Sequence, residues 1–217
     1  MKIISFLCAF LLLSVNPVLA ISSIDVNVIK EAQNYGKIKA QDQLKDFLLP
    51  WISYEEKAVK LDETAEHTYL YTAFLLMATD SREKTLNGQS ASLVDSERIL
   101  ADYTNLLSFS TVLFGTEENF AQNANVILKQ DKKMIKAYQV NMPIHAEKIS
   151  KDKTPTVDQA SAVDKMPVLD KVPLVYKGQC YFYFIEKDID VNSPITLVIT
   201  TSDKLEHAFY FDMAKIK

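Results

Sequence analysis

The chain reads as an α+β protein: an N-terminal antiparallel bundle of about four helices, followed by a small antiparallel β-sheet. Three observations predict this. Between residue 22 and about residue 140, apolar residues recur at intervals of three and four and glycine is scarce. After residue 172 the period changes to two and aromatic residues become dense. Between these stretches, residues 141–171 carry prolines at 143, 155 and 167, spaced by Thr, Ser, Asp, Lys and Ala, the composition of a linker. The expected organisation is a leader over 1–20, a helical bundle over 21–140, a linker over 141–171 and a β module over 172–217.

The leader has the order of parts that an export signal needs. Lys2 gives a positive start, Ile3 to Val15 form an uncharged apolar run, Asn16-Pro17 breaks it, and Val18-Leu19-Ala20 places small residues where a signal peptidase reads. The run falls short of the ~20 apolar residues that span a bilayer. The mature chain is therefore expected to begin at Ile21 and to work in the periplasm, at the cell surface or in the medium. No later run is both long and uncharged, Tyr69 to Ala78 being the nearest, so no transmembrane segment is expected after cleavage. Few cysteines, and lysine far above arginine, point to a bacterial protein.

Each helix of the expected bundle has its own signals. The first runs from Ser22-Ser23 to Leu49, weakened at Gly36 and ended by Pro50. The second starts at a capping box, Ser53-Tyr54-Glu55-Glu56, and becomes apolar on every face over Tyr69 to Ala78, which places that part at the centre. Asn87-Gly88 marks a turn. The third starts at Ser92-Leu93-Val94-Asp95, a capping box with Asp in place of Glu, and ends at Gly115. The fourth follows Thr116, with Phe120, Ala124, Ile127, Met134 and Tyr138 along its apolar stripe. In the β module, Gln179 to Ile185, Ile195 to Thr200 and His207 to Met213 form alternating strands.

Composition narrows the function. The formal charge is −4 and the arginines are Arg82 and Arg98, so neither nucleic acid nor a dedicated phosphate clamp is expected. Cys8 lies in the leader, which leaves Cys180 alone in the mature chain and a disulfide-linked dimer as its remaining pairing. No Cys-x-x-Cys-His, Gly-rich phosphate loop or Gly-x-Ser-x-Gly elbow is present, and no cofactor is expected.

Four groups of residues stand out. Glu63 and His67, four apart on the expected second helix, are the candidate metal ligands; the competing reading is a surface ion pair. Cys180 with His145 or His207 has the residue types of a thiol nucleophile and its base, but alternation with Phe182 and Phe184 points to an inert buried thiol. His207 and Asp212 are an odd number apart and face opposite sides of a regular strand. Tyr176, Tyr181, Tyr183 and Tyr210 are expected on the face opposite the phenylalanines, as an interaction surface.

With no reaction motif present, the sequence favours an exported non-enzymatic protein that engages another protein or an envelope component. A small-ligand or metal-binding protein is the alternative, with an unassigned hydrolase behind it. Cleavage is tested by Edman sequencing of the protein recovered from the extracytoplasmic fraction, which should begin at Ile21. Ala20→Lys should leave the unprocessed chain behind, and processing at another residue would refute the assignment.

Overall fold

The computed structural model describes residues 24–103, 105–149 and 176–217. It is a mixed structure of helices and antiparallel sheets, so the α+β class holds and the four-helix bundle does not. The leader and residues 150–171 of the expected linker lie outside the described residues.

Helices α1 (Val26–Ile38) and α2 (Leu44–Leu48) come first, then strands β1 (Ile52–Tyr54) and β2 (His67–Tyr71), then α3 (Ala73–Leu86) and α4 (Leu93–Tyr103). Strands β3 (Leu106–Gly115), β4 (Asn125–Gln130), β5 (Lys133–Lys136), β6 (Gln139–Asn141) and β7 (Glu147–Lys148) follow. Strands β8 (Tyr176–Ile185), β9 (Ile195–Thr200) and β10 (Glu206–Phe211) complete the fold. The first sheet has the order β1-β2-β3-β8-β6, with β7 also on β8; the second has the order β10-β9-β4-β5. The strands after residue 172 are thus divided between two sheets and paired with strands from the first two thirds of the chain.

The misread segments have physical reasons. β3 is buried on both faces along nearly its whole length, so it lacks the polar alternation that marks a half-exposed strand and passes for an enclosed helix. β4 and β5 form a hairpin whose two-residue turn, Asp131-Lys132, holds Asp131 at φ 51° without a glycine. Ser53, read as a helix cap, sits in β1, while the Ser92–Asp95 box is real: Asp95 N–H donates to Ser92 Oγ at 3.2 Å and Ser92 N–H to Asp95 Oδ2 at 3.0 Å. α3 ends at Asn87-Gly88 in a Schellman motif, with Gln89 N–H on the Lys84 carbonyl and Gly88 at φ 71°.

The two sheets share one core and join at both seams. Glu55 bridges to Phe209, and Glu56 N–H donates to the Ala208 carbonyl, so β10 is not an open edge there. On the other side the chain crosses from β5 to β6, with Ala137 N–H on Val126 and Tyr138 N–H on Tyr183. Phe109, Phe184 and Phe211 meet edge to face at 5.6 Å between the sheets. A second aromatic cluster, Tyr35, Phe47, Trp51 and Phe74, ties α1, α2 and α3 together. Trp51 Nε1–H and Thr72 Oγ1–H both donate to the Lys217 carbonyl.

Gly36 is where α1 approaches α3. A Cβ there would lie 2.1 Å from the Ala78 carbonyl oxygen, and Ser81 Oγ–H donates to the Gln33 carbonyl beside it. The helix-propensity cost of glycine, ~1 kcal/mol, is the condition for this contact. Gly36→Ala should therefore lower stability by about 2 kcal/mol, the range of overpacked cores, despite its better propensity. Urea unfolding measures this, and a variant as stable as the parent would contradict the contact.

Candidate functional site

The register of the first sheet builds a tyrosine-walled face. Tyr69 stands opposite Ser110 and Ser110 opposite Tyr181, while Tyr71 stands opposite Ser108 and Ser108 opposite Tyr183. Because side chains alternate along a strand, all six lie on the face away from Phe109, Phe182 and Phe184. Two tyrosines from β2 and two from β8 therefore flank a floor of serines on β3. The serines, between the flanking phenols, are about nine-tenths buried. Burial and the neighbouring Tyr181 phenol push the Tyr71 phenol above its ordinary value. Gln179 Nε2 donates to Ser110 Oγ at 2.7 Å, whereas Ser108 Oγ is buried without a partner among the described residues. Gln139 and Asn141 of β6 extend the same rows.

This arrangement keeps Tyr181 and Tyr183 together and separates the other two expected tyrosines. Tyr176 has the parity of Cys180 and packs partly buried against the core. Tyr210 is exposed on β10, in the second sheet. Tyr69 and Tyr71, read as helical core, are the residues that replace them. Their signal was the His67–Tyr71 alternation, hidden inside a run that also fits an apolar helix.

Glu63 and His67 do come near one another, but through a loop rather than a helix turn: residues 55–66 form an irregular connection and His67 opens β2. Both line a cavity of about 410 Å³ at the β1–β2 edge. Among the described residues, no group of three His, Cys, Asp or Glu side chains converges in a metal-binding arrangement. Cys180 is fully buried, and burial, with the Glu66 charge, pushes its thiol up to about 12, so the described fold makes it an inert hydrophobe. His145 is exposed and lies 3.0 Å from Glu118.

His207 has a partner the sequence did not suggest. Its Nδ1 lies 2.6 Å from Glu66 Oε2, and Glu66 Oε1 accepts the Phe114 N–H at 2.8 Å. His207 Nε2 is 3.2 Å from Thr201 Oγ1, whose hydroxyl donates to Asp203 Oδ1 at 2.6 Å. The order hydroxyl, imidazole, carboxylate is that of a nucleophile with its base and orienter. Here, however, the Thr201 proton is given to Asp203 and Thr201 is 4% exposed, so the hydroxyl is neither activated nor reachable. Both imidazole nitrogens donate, and the group is a charged staple between the sheets. Glu66 and His207 lie 141 positions apart, beyond any spacing pattern.

No family model matches this chain, and no curated protein or solved structure is significantly similar to it.

Burial alone disfavours the His207 imidazolium, but the hydrogen bond and charge of Glu66 outweigh it and raise its pKa above the ordinary 6.5. The pair's contribution is then fully present below that unfolded-state value and is lost as pH rises through the higher folded-state value. Urea midpoints between about pH 6 and about pH 9 should fall more steeply for the parent than for Glu66→Gln. Glu66→Ala, which strands a buried imidazolium, should cost about 3 kcal/mol at the acid end. Parallel pH curves for the parent and Glu66→Gln would show that His207 is uncharged.

Proposed function

We propose that this is an exported binding module that recognises a protein surface through the outer face of the first sheet, with Tyr181 and Tyr183 as its anchors. The observation that carries the reading is the pair of tyrosine walls around a serine floor, with Tyr181 45% exposed. Its chemistry is aromatic, neutral and rich in hydroxyl and amide groups. This is the mix that antibody combining sites use: phenols supply large contact area at low rotamer cost, and small polar groups adapt their hydrogen bonds. Tyrosine is also enriched among the residues that dominate binding energy. Export is supported by the leader pattern of residues 1–20, and a neutral protein partner or envelope component is accessible from there.

The absence of a reachable nucleophile beside His207, and the buried state of Cys180, favour binding over catalysis among the described residues. The test is affinity capture from the envelope fraction of the native host, with partners identified by mass spectrometry. Tyr181→Ser/Tyr183→Ser should lose the partner enriched by the parent by at least about tenfold. Its unfolding midpoint should remain within the ±0.5 kcal/mol typical of surface changes. Equal enrichment by both proteins would remove this face from the reading.

A further inference from the structure

The cavity at the β1–β2 edge carries a second, independent reading. Its floor is the outer face of the edge strands, where His67 and Tyr54 are directly paired, and its walls come from α2 and the 55–66 connection. His67 is 8% exposed and its ring is fixed by Tyr69 at 5.4 Å and Tyr54 at 6.0 Å. Nδ1–H donates to the Ala65 carbonyl at 2.8 Å, which sets the tautomer and leaves a lone pair on Nε2. That nitrogen has no hydrogen-bond partner among the described residues. Burial holds His67 below its ordinary pKa, so it is a neutral acceptor rather than a competing cation.

The charges around this acceptor are unbalanced. Asp46, Asp62 and Glu63 line the cavity with a single lysine, Lys45; Lys60 and Lys177, outside the lining, act on Asp62 and His67, and among the described residues none of the three carboxylates forms an ion pair. Asp62 accepts from Thr64 N–H and Thr64 Oγ1–H, which keeps it ionised. At the rim, Leu49 and Leu61 are 62% and 68% exposed, an apolar cost with no return in the free protein. A volume of about 410 Å³ is that of a small-molecule site. An anion would meet three carboxylates, and a metal ion would lack its ligand set. A cation with N–H donors and an apolar body satisfies the imidazole, the carboxylates, the phenol faces and the leucines together.

We propose that this cavity binds an organic ammonium ion carrying an aryl or alkyl body, with its N–H donated to His67 Nε2, its charge facing Glu63 and its body on Leu49 and Leu61. The proposal does not rest on Tyr181 and Tyr183, which do not line the cavity, although Tyr69 borders both surfaces.

The experiment is titration of the purified protein with 2-phenylethylamine and with 2-phenylethanol, followed by the His67 ring resonances and by calorimetry. The amine should saturate and should shift the Hε1 and Hδ2 signals of His67. The alcohol, equal in body but without the charge, should bind at least about tenfold more weakly. His67→Phe should lose about tenfold in amine affinity, and Glu63→Gln, an exposed change on the connection, should lose about threefold. Tyr181→Ser/Tyr183→Ser should bind the amine as the parent does, whatever becomes of partner capture. No saturation by about 10 mM, equal binding of amine and alcohol, or parental affinity in Glu63→Gln would each overturn the proposal, even if His67→Phe failed to fold.

Discussion

Everything in this molecule turns on β2 serving two faces at once. Glu66, Thr68 and Leu70 point inward; His67, Tyr69 and Tyr71 point outward. The inward set fixes the strand. Glu66 takes the Phe114 N–H of β3 and faces His207 of β10, Thr68 shares a hydrogen bond with Thr111 at 2.7 Å, and Leu70 is fully buried. A slip of one residue would exchange the two sets, putting a carboxylate in water and three aromatic rings in a core with no room for them. The outward geometry is therefore held by interactions on the opposite side of the sheet.

The same alternation connects the two proposed surfaces while keeping them chemically distinct. Toward β8 the outward face is broad, with serines beneath phenols and Lys177 farther along the strand. Toward β1 it is enclosed by α2 and the 55–66 connection, and its lining turns acidic. One face thus offers a shallow contact area and, at its margin, a small cavity. The aromatic cluster of Tyr35, Phe47, Trp51 and Phe74 contributes indirectly: by seating α2, it places Lys45, Asp46 and Leu49 over the edge strands.

Legibility in the sequence followed the range of the interactions. Local chemistry read well. The Ser92–Asp95 box and the Asn87-Gly88 helix end lie where their hydrogen bonds require, and the Tyr181/Phe182/Tyr183/Phe184 alternation sorts outward from inward as expected. Features set by tertiary burial did not read. Leu106 to Gly115 looked helical because a strand covered on both sides shows no polar period. Lys129 to Lys136 looked like the solvated side of a helix because its hairpin turns on Asp131 rather than on glycine. The sequence groups Tyr210 with Tyr181 because nothing local reveals that β8 and β10 belong to different sheets. Helical spacing pairs Glu63 and His67 in the sequence, whereas in the fold a loop laid over a strand brings them to one cavity.

The staple between Glu66 and His207 joins residues 141 positions apart, and Glu55 meets Phe209 at the neighbouring seam. A bundle of consecutive helices would condense from local contacts within microseconds to milliseconds, whereas a core closed by such distant partners belongs to the slow-folding class. Until β10 is available, the first seam has nothing to close on.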